Sequence, residues 1–163
     1  MSELKDLMLQ EPRLTLAVAE SLTGGRLQAR ITAISGASEF FLGGMTAYSL
    51  DQKVRHLGVS RGRARAANSV SRRVAEQMAK GACALFRADA GVSTTGYAEP
   101  SAQWRVRVPF AWWAVALRKP RGRFSVTSGI VKLPGLTRVE VQEAVTDAAL
   151  EALLRATAAA RRP

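Results

Sequence analysis

Two residues of this chain have types and neighbours suited to bond-breaking chemistry: Ser21, within "AESLTGG" at 19 to 25, and Lys53, within "SLDQKVRHLGV" at 49 to 59. A serine becomes a nucleophile only when a nearby group takes its proton. The single histidine, His56, makes a Ser-His-Asp arrangement possible on paper. A lysine is the other candidate base, provided burial or neighbouring positive charge lowers its pKa from a reference near 10.4. Lys53, in the first turn of a helix beside a pocket, would fit that role better than Lys80, Lys119 or Lys132. Gly24 and Gly25 let a backbone approach a ligand closely, and free N–H groups opening the next helix could hold an oxyanion or a phosphate. Each residue also has an ordinary explanation. Ser21, with Thr23, could simply cap a helix, Lys53 could be a solvated surface charge, and Cys83 could be a small core residue. Spacing alone leaves nucleophile and cap both open.

The elements that must position these residues follow from periodicity. "RLTLAVAE" (13 to 20) reads as a buried strand, and Leu27, Ile31 and Ile34 mark one face of a helix after it. "GGMTAYS" suggests a second strand, and Ser49 with Gln52 has the spacing of an N-cap and its third helical residue. In "SVSRRVAEQMAKGACALFRA" a helix capped by Ser71 or Ser69 places Val74, Met78, Ala82 and Leu85 on one stripe. "ADAGVSTTG" reads as a central strand that runs out into the loop "YAEPSAQWRVRVP". "AWWAVALR" and "RFSVTSGIVKL" form a strand pair joined by "KPRG", with one Trp of the pair on the core and the other at an interface. Thr137 and Glu140 make a capping box for a last helix with Val141, Val145, Ala148, Ala149 and Leu153 inward. The alternation predicts an α/β fold: a three-layer α/β/α sandwich with a mixed, mostly parallel sheet. Ser21, the 49–53 segment and Thr94 to Gly96 each follow a strand, where ligands gather in such sheets.

Composition narrows the function classes. At 163 residues and 47% hydrophobic content the chain, 1–163, reads as a single domain. One Cys and one His supply no zinc set and no intrachain disulfide, so no metal or other cofactor is expected. No apolar stretch has the length of a membrane span, and "MSELKDLMLQEPR" lacks the order of a signal peptide, so no membrane partner and a cytoplasmic location are expected. The net charge of +11 would attract nucleic acid, anionic lipid or phosphorylated small molecules, although no nucleic-acid motif accompanies it.

Three segments occur together and in order. "AVAESLTGGRLQARIT" resembles an A-E-S-C-T-G-G turn, "FFLGGMTAYSLDQKVRHLGV" resembles F-x-G-G-x-x-x-Y-S-N-x-x-K-x-x-x-L-G-V, and "SVSRRVAEQMAKGACALFRADAGVSTTG" resembles the helix and strand leading to T-G-I-A-G-P. With these the chain resembles, over about residues 14 to 155, the C-terminal domain of the competence/damage-inducible CinA family, whose stand-alone members are nicotinamide-nucleotide amidases. The resemblance implies hydrolysis of the carboxamide of nicotinamide mononucleotide to nicotinic acid mononucleotide and ammonia, without a metal. It implies Ser21 as nucleophile and Lys53 as its base. Thr23, Gly24 and Gly25 would offer oxyanion or phosphate contacts, Tyr48, Thr95 and Gly96 would line the site, and Arg138 would reach the substrate phosphate. A homo-oligomer is also implied.

The chain departs from the family pattern at definite places. Leu22 stands for Cys and Leu50 for Asn, "TTGYAEPSAQW" carries Glu99 in place of a glycine-rich loop, and "VPFAWWAVAL" puts Trp where Gly and Thr are usual. A negative charge at 99 would disfavour a phosphate if it faces the site. Besides an amidohydrolase, a catalytically silent or substrate-shifted domain that binds a nucleotide or a partner therefore fits the sequence.

Overall fold

The computed structural model describes residues 2–161. Its sheet has five strands: β1 (Leu16–Glu20), β2 (Phe41–Thr46), β3 (Ala90–Tyr97), β4 (Phe110–Arg118) and β5 (Phe124–Lys132). They lie in the order β2-β1-β3-β4-β5, with β1 parallel to both β2 and β3, and β4 antiparallel to both β3 and β5. β4 alone therefore runs against the other strands. The sheet is mixed, and helices cover both its faces.

Alternation along β1 explains the layers. Leu16 and Val18 point to one face, where they meet Leu4 and Met8 of α1 (Ser2–Leu9), Leu27 and Ile31 of α2 (Arg26–Thr32), and Leu150 and Leu153 of α6 (Arg138–Ala160). Ala17 and Ala19 point to the other, against Leu57 of α3 (Leu50–Leu57), Ala64 of α4 (Arg61–Ala66), and Val74, Met78 and Ala82 of α5 (Arg72–Phe86). Small residues bring α5 close on this second face: a Cβ on Gly91 of β3 would lie 2.2 Å from the Ala79 carbonyl oxygen.

The local stop and start signals hold. Ser49 and Ser71 accept hydrogen bonds from Gln52 N–H (3.4 Å) and Val74 N–H (3.3 Å), and Thr137 with Glu140 closes the capping box of α6. Two helices were not expected. α1 buries Leu4 and Met8, an i,i+4 pair, and α4 buries only Ala64 among arginines. Leu85, expected on the inner stripe of α5, is exposed. That stripe steps by i,i+4, which advances about 40° each time around a 3.6-residue helix. It drifts to Cys83 and half-buried Phe86 and leaves Leu85 outside. Ala148 of α6 is likewise only half-buried, while Val141, Val145, Ala149 and Leu153 are buried as expected. Trp112 and Trp113 are both half-buried, on opposite faces of β4 against different core clusters.

Candidate active site

Ser21 sits where β1 leaves the sheet, and the turn after it is tied down from several sides. Glu20, fully buried, accepts N–H hydrogen bonds from Gly25 (2.9 Å), Leu27 (3.1 Å) and Gln28 (2.9 Å), and one from the Gln28 side chain (3.0 Å). A carboxylate at a helix N-terminus meets both the unpaired N–H groups and the positive end of the helix dipole. This contact decides the role of the serine in the turn. The N-cap of α2 is Gly25 (φ 100°), with no side-chain cap, so Ser21 does not cap the helix. The N–H groups expected to be free for a ligand are instead taken by Glu20. Thr23, also buried, shares a 2.7 Å hydrogen bond with the Thr94 hydroxyl, and Gly24 N–H returns to the Ser21 carbonyl at 3.2 Å. Gln142 of α6 donates to the Leu22 carbonyl at 2.7 Å.

Lys53 lies in the first turn of α3, and its position overturns the ordinary expectation for a lysine. Only 2% of it is exposed. Its Nζ donates to Thr95 Oγ1 at 3.4 Å, and the same hydroxyl donates to the Ser69 carbonyl at 2.8 Å. Burial penalises the ammonium and pushes its pKa down from 10.5 to about 8.

Ser21 and Lys53 line one cavity of about 590 Å³, together with Tyr48, Gly96 and Arg138. This is within the usual size of a small-molecule site, and it opens at the carboxyl ends of β1 and β3. Thr95 touches it through Lys53, whereas Thr23, Gly24 and Gly25 do not line it and build the turn beneath. His56, half-buried on α3, is also absent from its walls, so no Ser-His pair forms there. Gly96 has a second duty: a Cβ there would lie 2.4 Å from the Phe110 carbonyl oxygen of β4.

The rim is built differently. Arg138, the first residue of α6, donates from Nη2 to Tyr48 Oη (2.9 Å) and from Nη1 to Glu99 Oε2 (2.5 Å). The hydrogen bond to Glu99 raises the Arg138 pKa further. Asn68 donates to Tyr97 Oη at 2.8 Å, and both Asn68 (φ 44°) and Ser69 (φ 63°) adopt left-handed backbone. The loop after β3 closes through a bridge between Ser101 and Val106 that presents Trp104 to the cavity. The sequence offers Ser69 only as an alternative cap for α5, a place the structure gives to Ser71, and it gives no site signal at Arg65, Asn68 or Tyr97, although an Asn in a polar break between helices signals a left-handed turn.

A family model, the CinA C-terminal domain, matches residues 1–157. The chain belongs to the CinA C-terminal domain family. A CinA-like protein of Chlorobium limicola is 40% identical over 144 residues, covering 88% of this chain and 33% of that protein. The chain thus spans about a third of that protein's length, and 22% of a CinA-like protein of Picosynechococcus. Among solved structures, the competence/damage inducible protein CihA of Agrobacterium tumefaciens superposes with a TM-score of 0.76 at 29% identity, covering 94% of each chain. A CinA superfamily protein of Enterobacter cloacae shares the fold, with a TM-score of 0.84 at 24% identity over 96% of this chain and 89% of that one. In this chain the buried Lys53 lines the cavity, and the helix-bound Glu20 holds the turn beneath it. Among the described residues, no group of three or more His, Cys, Asp or Glu side chains is placed to hold a metal ion, and no helix is long and apolar enough to cross a membrane.

Proposed function

We propose that this chain is a serine amidohydrolase of the nicotinamide-nucleotide amidase class, with Ser21 as nucleophile and Lys53 as its base. The observation that carries this reading is the buried Lys53 in the same cavity as a serine that caps nothing. With a pKa of about 8, roughly a tenth of Lys53 is neutral at pH 7, against less than about a thousandth for a lysine at its reference value. A base in that range can take a proton and return it.

In the proposed reaction neutral Lys53 takes the Ser21 Oγ proton as Oγ bonds to the carboxamide carbon. The resulting ammonium then gives its proton to the leaving nitrogen, the C–N bond breaks, and ammonia departs from an acyl-serine. Water, deprotonated by the same lysine, attacks the acyl carbon; as the bond to Ser21 Oγ breaks, the ammonium returns that proton to Oγ, and the acid product leaves as carboxylate after losing its proton to solvent. The N–H groups of Leu22 and Thr23, which follow the nucleophile and have no acceptor among the described residues, are candidate donors to the oxyanion.

Ammonia release from nicotinamide mononucleotide, with identification of nicotinic acid mononucleotide, tests this directly. Ser21→Ala and Lys53→Ala should each lower kcat at least about a hundredfold. Wild-type kcat/KM should rise with pH and level off above about 8, because the working form of Lys53 is the neutral one. Full activity of Ser21→Ala removes the mechanism. The loop after β3 favours a second reading, a nucleotide-binding domain without turnover, because "TTGYAEPSAQW" replaces a glycine-rich segment and sets Glu99 and Trp104 on the cavity wall. Calorimetric binding of the nucleotide by a folded protein that releases no ammonia would select it.

A further inference from the structure

The charged side chains lining the cavity are Lys53, Arg65, Arg138 and Glu99, three cations and one carboxylate. The carboxylate is not free. It accepts a hydrogen bond from Arg138 Nη1, while the other arm of the same guanidinium donates to the Tyr48 phenol oxygen. A planar guanidinium with both terminal nitrogens engaged has its strongest donors committed before any ligand arrives. The pair bridges the loop after β3 to the start of α6, residues 39 positions apart, with both side chains roughly half-exposed. Exposed pairs of this kind are weak and exchangeable.

Resting on the cavity as the site proposed above, we propose that Glu99 is its specificity-determining residue: it occupies Arg138 in place of a ligand's phosphate, so that a phosphomonoester reaches the guanidinium only by displacing a carboxylate already bonded to it. An uncharged amide makes no such exchange. Glu99 therefore narrows the preference for a phosphorylated ligand that Lys53, Arg65 and Arg138 would otherwise give the cavity. Two effects act in the same direction: the ligand must compete for the guanidinium, and its phosphate must then share the rim with the displaced negative charge.

The test is calorimetric titration in a Ser21→Ala background, which keeps an amide ligand intact, using inorganic phosphate, nicotinamide mononucleotide and uncharged nicotinamide as probes. Glu99→Gln should tighten inorganic phosphate and the mononucleotide by roughly two- to fivefold, leave nicotinamide unchanged, and lose this gain when Arg138→Gln is added. Equal phosphate affinity with and without Glu99→Gln would overturn the proposal, as would an equal gain for nicotinamide, a gain that survives Arg138→Gln, or no phosphate binding to the Glu99→Gln protein. Failure of the amidase reading would show separately, as absence of ammonia release by the wild type, and would leave the phosphate titration interpretable.

Discussion

The floor of the cavity and its rim are built on opposite principles. Beneath Ser21 every tie is buried or nearly so: Glu20 on three backbone N–H groups, Thr23 on Thr94, Gln142 on the Leu22 carbonyl. At the rim Tyr48, Trp104, Arg138 and Glu99 are substantially exposed, and one ion pair and one hydrogen bond to a phenol oxygen join three of them through Arg138. Buried hydrogen bonds that satisfy helix N–H groups are costly to remove, whereas exposed ion pairs contribute little. The floor therefore fixes where Ser21 stands, and the rim can change what is admitted without disturbing it.

Breaking the floor should have the largest effect. Glu20→Ala leaves three N–H groups without their acceptor and removes the charge at the α2 N-terminus. At about 1–3 kcal/mol for each buried donor left unpaired, with water reaching the partly exposed ones, we expect a loss of about 3–5 kcal/mol in urea or thermal unfolding. A loss under about 1 kcal/mol would mean that the turn holds itself and that the contrast between floor and rim is wrong.

Lys53 sharpens the same contrast, because burying its ammonium costs the floor stability. Its folded-state pKa of about 8 lies below the unfolded value of 10.5. Between those two pH values the unfolded chain binds a proton that the folded chain does not, so this residue makes stability rise as pH rises through the window. Below about pH 8 the folded protein carries the full cost of a buried ammonium, on the order of 3 kcal/mol. Lys53→Met should thus stabilise the protein at pH 7 while abolishing amide hydrolysis. The difference in unfolding free energy between variant and wild type should shrink from pH 8 to pH 10.5. A variant whose stability tracks the wild type across that range would show that Lys53 is not desolvated as its burial implies.

What could be read from sequence and what could not divides along the same line. Ser49, Ser71 and the Thr137–Glu140 box speak for themselves, because a cap and its partner are three residues apart and the bond is local. The β1–turn–α2 unit was legible from its apolar run and glycines for the same reason. The burial of Lys53 was not, since it depends on Thr95 and Ser69, which reach it from two other segments. Glu20 was passed over because an acid at the end of a buried strand gives no sign of what it bonds to until the next helix is placed above it. The sheet's mixed character was visible in the paired "AWWAVALR" and "RFSVTSGIVKL", but only the structure shows β4 alone reversed. α1 left a signal, Leu4 and Met8 at i,i+4, too short to stand out. α4, with arginines at 61, 63 and 65, had no apolar period to find.

The smallest expected effect lies where floor and rim meet, at Asn68 and Ser69. Ser69 receives the Thr95 hydroxyl from below, and Asn68 donates to Tyr97 above, so this left-handed pair couples the two layers. Asparagine tolerates φ 44° better than alanine does, and its amide supplies the contact to Tyr97. Asn68→Ala loses both and should destabilise by about 1–2 kcal/mol, whereas Asn68→Gly loses the contact but regains the backbone freedom and should stay within about 1 kcal/mol of wild type. If the segment couples the layers as its contacts indicate, the alanine variant should also raise KM more than it lowers kcat, because Lys53 keeps its partner Thr95 while the wall that carries Tyr97 loosens. Equal stability of the alanine and glycine variants would show that the left-handed backbone carries no cost at this position. A kcat loss as large as that expected of Lys53→Ala would instead place Asn68 with the floor.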